Sequence, residues 1–159
     1  MPQPAPTYAG LRSQVFATRP EDVGITPSQA LPHVWGALME FQRPGAVVTL
    51  VALVDGTTSL YFSNGGGIIG AGSHPAVAEA ARDFVAAAEA AHAQMQPAAD
   101  FPLPAAGHVR FYALTFTGVR TAERPEEALV SRRDDLWPLF SAGNAVLTQI
   151  QLHGEHQSR

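Results

Sequence analysis

Apolar positions Leu31, Val34, Trp35, Leu38 and Phe41 recur at helical spacing, and that spacing predicts a helix. Its start is marked by Thr26-Pro27-Ser28-Gln29, a capping signal with proline at the first helical position, where a missing N–H costs nothing. Pro32 lies inside the run, where it kinks the helix or delays its start, and Arg43-Pro44-Gly45 ends it. Just upstream, Thr18-Arg19-Pro20-Glu21 followed by Gly24 spells a single helical turn. The pattern then changes. Ala46 to Val54 is rich in valine and leucine, Asp55-Gly56 follows, and Thr57 to Ser63 holds Leu60, Tyr61 and Phe62. Asp-Gly between two β-prone runs predicts a hairpin, because both central residues of a type I′ turn take positive φ. Ser63 to Gly72 is glycine-rich and reads as a loop.

From Pro75 a long helix is predicted, with Val77, Ala81, Phe84, Ala88, Ala91 and Met95 as its apolar stripe and Pro97 as its stop. Residues 100–107, with Pro102 and Pro104, read as an extended connection. Val109 to Phe116, a turn at Thr117-Gly118 and a return over Val119 to Glu123 make a second hairpin. Residues 124–135 read as a charged loop, with either a helical turn at Pro125-Glu126-Glu127 or a short edge strand near Leu129-Val130. A last helix follows Pro138, with Leu139, Phe140, Gly143, Leu147 and Ile150 inward. The expected fold is α/β of the α+β kind. A single antiparallel sheet of 4–5 strands is built from two hairpins, with three helices packed on it. Residues 1–25 are expected to be loosely ordered, 26–152 to form the domain, and 153–159 to be a mobile tail.

Composition narrows the chemistry. All ten basic residues are arginine, so the lysine needed for a Schiff base, pyridoxal phosphate attachment or a P-loop is missing. Absence of cysteine excludes disulfides, thiolate nucleophiles, zinc ribbons and iron–sulfur clusters. A net charge of −4 gives no footprint for nucleic acid or an anionic membrane. No run approaches the roughly 20 apolar residues that span a bilayer. The opening MPQPAPTYAG lacks the basic start and apolar run of a secretory signal, so the expected location is the cytoplasm.

Gly65, Gly67 and Gly70 spell G-x-G-x-x-G, but after the second arm of a hairpin rather than in a parallel strand-helix-strand unit, and the motif does not itself open the helix at Pro75. What remains is a backbone nest. Ser63, Asn64, Gly65, Gly66 and Gly67, with His74 at the following helix start, are the candidate ligand-binding residues for an anion or nucleotide, against the plainer reading that the glycines only bend the chain. Glu89-x-x-His92 has the spacing of half a di-iron carboxylate site, yet no second copy exists, and it reads as a helix-surface pair. His153-x-x-His156 falls in the tail, and His33, His74 and His108 stand isolated. Ser73-His74 are adjacent, not presented by separate elements as nucleophile and base. Asp134-Asp135 read as capping residues, with Arg132-Arg133 as solvated partners, and Arg110, Tyr112 and Arg120 as candidates for one sheet face. No catalytic residue, metal ligand or cofactor is assigned.

The order helix, hairpin, helix, strands, helix over Thr26 to Leu152 resembles the roadblock family within the wider profilin-like group. That resemblance rests on element order and transfers no residue. It implies a non-catalytic homodimer that scaffolds or regulates a protein partner, often a small GTPase. The expected function is therefore a dimer-forming interaction or regulatory domain; the alternative is a small-molecule or anion-binding protein or enzyme using residues 63–74.

Overall fold

The computed structural model describes residues 3–154. One sheet of seven strands runs antiparallel throughout in the order β4-β3-β2-β1-β6-β7-β5. The strands are β1 (Val34–Arg43), β2 (Ala46–Leu53), β3 (Thr58–Phe62), β4 (Gly67–Ile69), β5 (Gln96–Pro97), β6 (His108–Thr115) and β7 (Gly118–Pro125). The helices are α1 (Pro6–Ala17), α2 (Pro75–Ala91), α3 (Glu126–Val130) and α4 (Trp137–Gly154). No helix among the described residues is long and apolar enough to cross a membrane.

Both predicted hairpins form, as β2–β3 and β6–β7. The first does not close through a type I′ turn. Gly56 takes φ 93° while Arg132 is the one non-glycine described residue with positive φ, and the Asp55 carboxylate instead accepts the Thr57 N–H. Helix α2 starts at Pro75 as expected, runs to Ala91 and tightens into a 3₁₀ turn before Met95. Residues 126–130 are helical rather than an edge strand.

Seven strands stand where 4–5 were expected, and the largest correction is β1. Residues 34–43 form the central strand, not a helix. The sheet is covered on both faces, so a central strand there reads as a nearly continuous apolar run without period-2 alternation. Of the residues that spell a helix, Val34 and Phe41 lie in the core under α2 and α4, whereas Trp35 and Leu38 lie in the core on the opposite face. A register irregularity between Val34 and Gly36 adds to this, placing Val34 and Ala37, three positions apart, on the same face. The capping signal ahead of it is local only. Ser28 Oγ accepts the Leu31 N–H in a turn that no helix follows.

Residues 6–17, expected to be loose, form α1, followed by the expected helical turn at Pro20–Val23. Helix α1 turns Tyr8, Leu11, Val15 and Phe16, at helical spacing, toward the second core, with Arg12 interrupting the stripe and Tyr8 its one buried residue. A polar clamp holds it as well. Arg12 Nε and Nη2 donate to the two oxygens of Glu40 at 2.6 and 2.8 Å. Thr49 Oγ1 donates to Glu40 at 2.8 Å, and Tyr8 shares a hydrogen bond with the same hydroxyl at 2.7 Å. Glu40 is fully buried, so each of its bonds replaces lost water.

The main core lies on the other face, where Val77, Ala81, Phe84, Val85 and Ala88 of α2 meet Val146 and Ile150 of α4 over the sheet. Gly143 of α4 lets Met39 of β1 pack close, with Met39 Sδ 2.6 Å from where a Cβ would stand. Of the expected tail, residues 155–159 lie outside the described residues, and so does His156.

Candidate functional site

The glycine-rich segment is a tight hairpin and an edge strand. Gly65 N donates to Phe62 O and Gly66 N to Asn64 Oδ1, while Gly66 O accepts from Phe62 N. Ser63 is buried. Its Oγ accepts from Val47 N and its N–H donates to Val47 O. The N–H groups of Ser63, Gly65 and Gly66 are thus spent within the chain. Close approach accounts for two of the glycines. A Cβ on Gly67 would lie 2.7 Å from Leu60 O, and one on Gly72 would lie 2.0 Å from Gly56 O. His74 Nδ1 caps α2 by accepting from Ala76 N, and its ring stacks on His153 with centroids 3.6 Å apart. Of the six predicted binding residues, Ser63 to Gly67 shape the β3–β4 hairpin, and His74 caps α2.

Strand β4 that emerges from this hairpin is the outermost strand on its side of the sheet. It reads Gly67-Ile68-Ile69, with neither charge nor proline, and the Ile69 residue is 70% exposed. The opposite edge is different. Gln96–Pro97 covers part of β7, and Pro97 has no N–H to offer a further strand.

A second cluster forms where α2 ends over the start of β1. His33, isolated in sequence, lies beside the Glu89-x-x-His92 turn. Glu89 Oε1 accepts the His33 and Val34 N–H groups at 2.8 and 3.0 Å. Its Oε2 stands 2.9 Å from His33 Nδ1 and 3.5 Å from His92 Nδ1. The two imidazoles stack with centroids 4.6 Å apart. Partial burial pushes the Glu89 carboxyl up, but the two backbone donors and the His33 ring outweigh it, leaving its pKa below the ordinary value. Glu89-x-x-His92 was thus visible in the sequence, while its third member was not.

The remaining candidates are structural. Asp134 Oδ1 accepts from Leu136 N and its Oδ2 pairs with Arg124 at 3.1 Å, while Arg133 reaches Glu127. Arg110 and Tyr112 share the α1 face of β6, with Arg110 bonded to Glu123 and Thr121. Arg120 pairs across from Ala113, on the opposite face, and donates to Met95 O. A shallow hollow of about 270 Å³ lies between the end of α1 and β6, floored by Trp35, Leu114 and Phe116.

The arrangement defines an antiparallel sheet domain in which, among the described residues, no strand pairs beyond β4, together with a histidine–glutamate cluster. No family model, curated protein or solved structure matches the chain.

Proposed function

We propose that the chain is a non-enzymatic interaction domain that forms a homodimer along β4. The observation behind this reading is the contrast between the two ends of the sheet. Sheet edges in stable monomers are blunted by charge, proline or a covering segment, because unpaired N–H and C=O groups recruit other strands. Proline guards the β5 end, whereas Gly67-Ile68-Ile69 carries no guard and turns Ile69 outward. Small neighbours, Gly66 on one side and Gly70-Ala71-Gly72 on the other, leave room for a second backbone. Two copies joined there would continue one sheet across the dimer. A three-residue ladder is short, so the dimer is of the weak, concentration-dependent class. A scaffolding or regulatory role toward a protein partner, as the roadblock resemblance implies, belongs to the same proposal. The alternative is an anion or nucleotide held by residues 63–74, where the Ser63, Gly65 and Gly66 N–H groups are already bonded within the chain.

Sedimentation equilibrium over a concentration series tests the reading. The wild-type chain should shift from monomer toward dimer, and Ile69→Lys should remain monomeric with an unchanged circular dichroism spectrum. A wild-type monomer at every concentration, or a dimer indifferent to the lysine, refutes it.

A further inference from the structure

We propose that His33, Glu89 and His92 form a binding site for a divalent transition-metal ion of the zinc class. The three side chains come from two elements that the fold fixes against each other. Glu89 and His92 sit three residues apart at the end of α2, and thus on one helix face, while His33 leads into β1 beneath it. The ligand atoms they offer all lie within 4.8 Å of one another.

The distances suit an ion. Metal–nitrogen and metal–oxygen bonds near 2.1 Å in a tetrahedral shell place neighbouring ligand atoms about 3.4 Å apart. Glu89 Oε2 stands 2.9 Å from one Nδ1 and 3.5 Å from the other, on either side of that value. The third side of the triangle, between the two imidazole nitrogens, is no longer than 4.8 Å, and His92 turns its ring to close it. The His92 Nδ1 contact with Glu89 O, at 2.7 Å, is given up when that nitrogen ligates.

Support from outside the ligand set is already present. Backbone N–H groups of His33 and Val34 hold Glu89 Oε1, which orients the carboxylate and leaves Oε2 to the ion. Charge points the same way. Among the described residues, the ion-pair partners of Glu89 are these two imidazoles, and no arginine reaches it. Imidazole ligates in its neutral form, so the carboxylate charge in this corner is left for a cation to balance.

The donor set selects the metal. Two imidazoles and one carboxylate suit Zn²⁺, Cu²⁺, Ni²⁺ or Fe²⁺, whereas Ca²⁺ and Mg²⁺ take oxygen ligands. The His33 side chain is 59% exposed and that of Glu89 13%, so the cluster opens to solvent on the His33 side and the remaining coordination positions fall to water or an outside ligand.

Calorimetric titration of untagged protein with Zn²⁺ tests the site, with Co²⁺ absorption reporting the coordination number. One Zn²⁺ should bind per chain with Mg²⁺ failing to compete. His33→Ala and His92→Ala should each weaken binding by more than about tenfold, since even supporting groups around a metal carry about that much. His74→Ala and His153→Ala, which remove the other stacked imidazole pair, serve as the internal control and should leave affinity unchanged. His33 is exposed, so its alanine variant keeps the fold, as circular dichroism checks. Absence of saturable one-to-one binding overturns the proposal, as does an equal loss on removing either imidazole pair.

Discussion

Replacing Arg12 with alanine tests the clamp that holds α1 on the sheet. Glu40 sits on the central strand with no solvent exposure and accepts two bonds from Arg12 and one from Thr49. Arg12→Ala removes both guanidinium bonds and leaves a buried carboxylate with the Thr49 hydroxyl alone. Breaking a buried pair by deleting one partner costs about 3–5 kcal/mol, because the surviving charge stays out of water. The guanidinium also lies over the rings of Phe16 and Tyr112, at 5.1 and 5.7 Å, so some packing is lost with it. In a chain of this length 1 kcal/mol moves Tm by about 2–4 °C, which gives an expected drop of about 6–20 °C. Urea denaturation followed by circular dichroism and by fluorescence of Trp35, which is buried on the α1 face, measures the cost and shows whether α1 leaves together with the sheet. The double variant Arg12→Met/Glu40→Leu, with no charge left to desolvate, should recover most of the loss. A cost below about 1 kcal/mol for Arg12→Ala, or a double variant worse than the single one, refutes the clamp.

Other expectations follow from single positions. Gly72→Ala forces a Cβ to within 2.0 Å of Gly56 O, a backbone atom, and should cost about 1–3 kcal/mol or prevent folding; a neutral result in urea denaturation contradicts the close approach. Gly10→Ala, in α1 with open space at its Cβ, should instead stabilise by about 0.5–1 kcal/mol, and a loss there would mean that α1 is not helical at that point. Burial, and then the Glu40 charge, push the Tyr112 hydroxyl up to about 12 from its ordinary 10. Tyr8 moves the same way for the same reasons. The unfolded chain therefore ionises these groups first. Their effect is absent below about pH 10, and stability falls above it by up to about 1.4 kcal/mol per pH unit for each group. The urea midpoint should drop between about pH 10 and 12, and less steeply in Tyr112→Phe; equal slopes refute the assignment.

The parts of this fold written in local pattern are those the sequence discloses. The Asp55-Gly56 reversal, the small-residue stripe of α2, the Thr117-Gly118 turn and the last helix each depend on a few neighbouring residues. The parts missed depend on distant ones. A strand covered on both faces has no alternation to detect, and β1 adds a register irregularity that mimics helical spacing. Helix α1 carries Tyr8, Leu11, Val15 and Phe16 at helical spacing, but Arg12 interrupts that stripe, and its partner Glu40 lies 28 residues away. Strand β4 hides in glycines that read as a loop, two of which are there because carbonyl oxygens pass within 2.7 Å of where a Cβ would be. The same division holds for the candidate site. Half of the histidine–glutamate cluster is a local helical pair, and its third member joins only when α2 lies across the start of β1.

Pairing along β4 is most directly tested by cross-linking, which the cysteine-free chain makes clean. A single Ile69→Cys substitution places a thiol on the unguarded edge, and Gln96→Cys places one on the guarded edge. Under mild oxidation the account predicts a reducible dimer from Ile69→Cys and almost none from Gln96→Cys. Equal yields from the two edges, or none from Ile69→Cys, would contradict it.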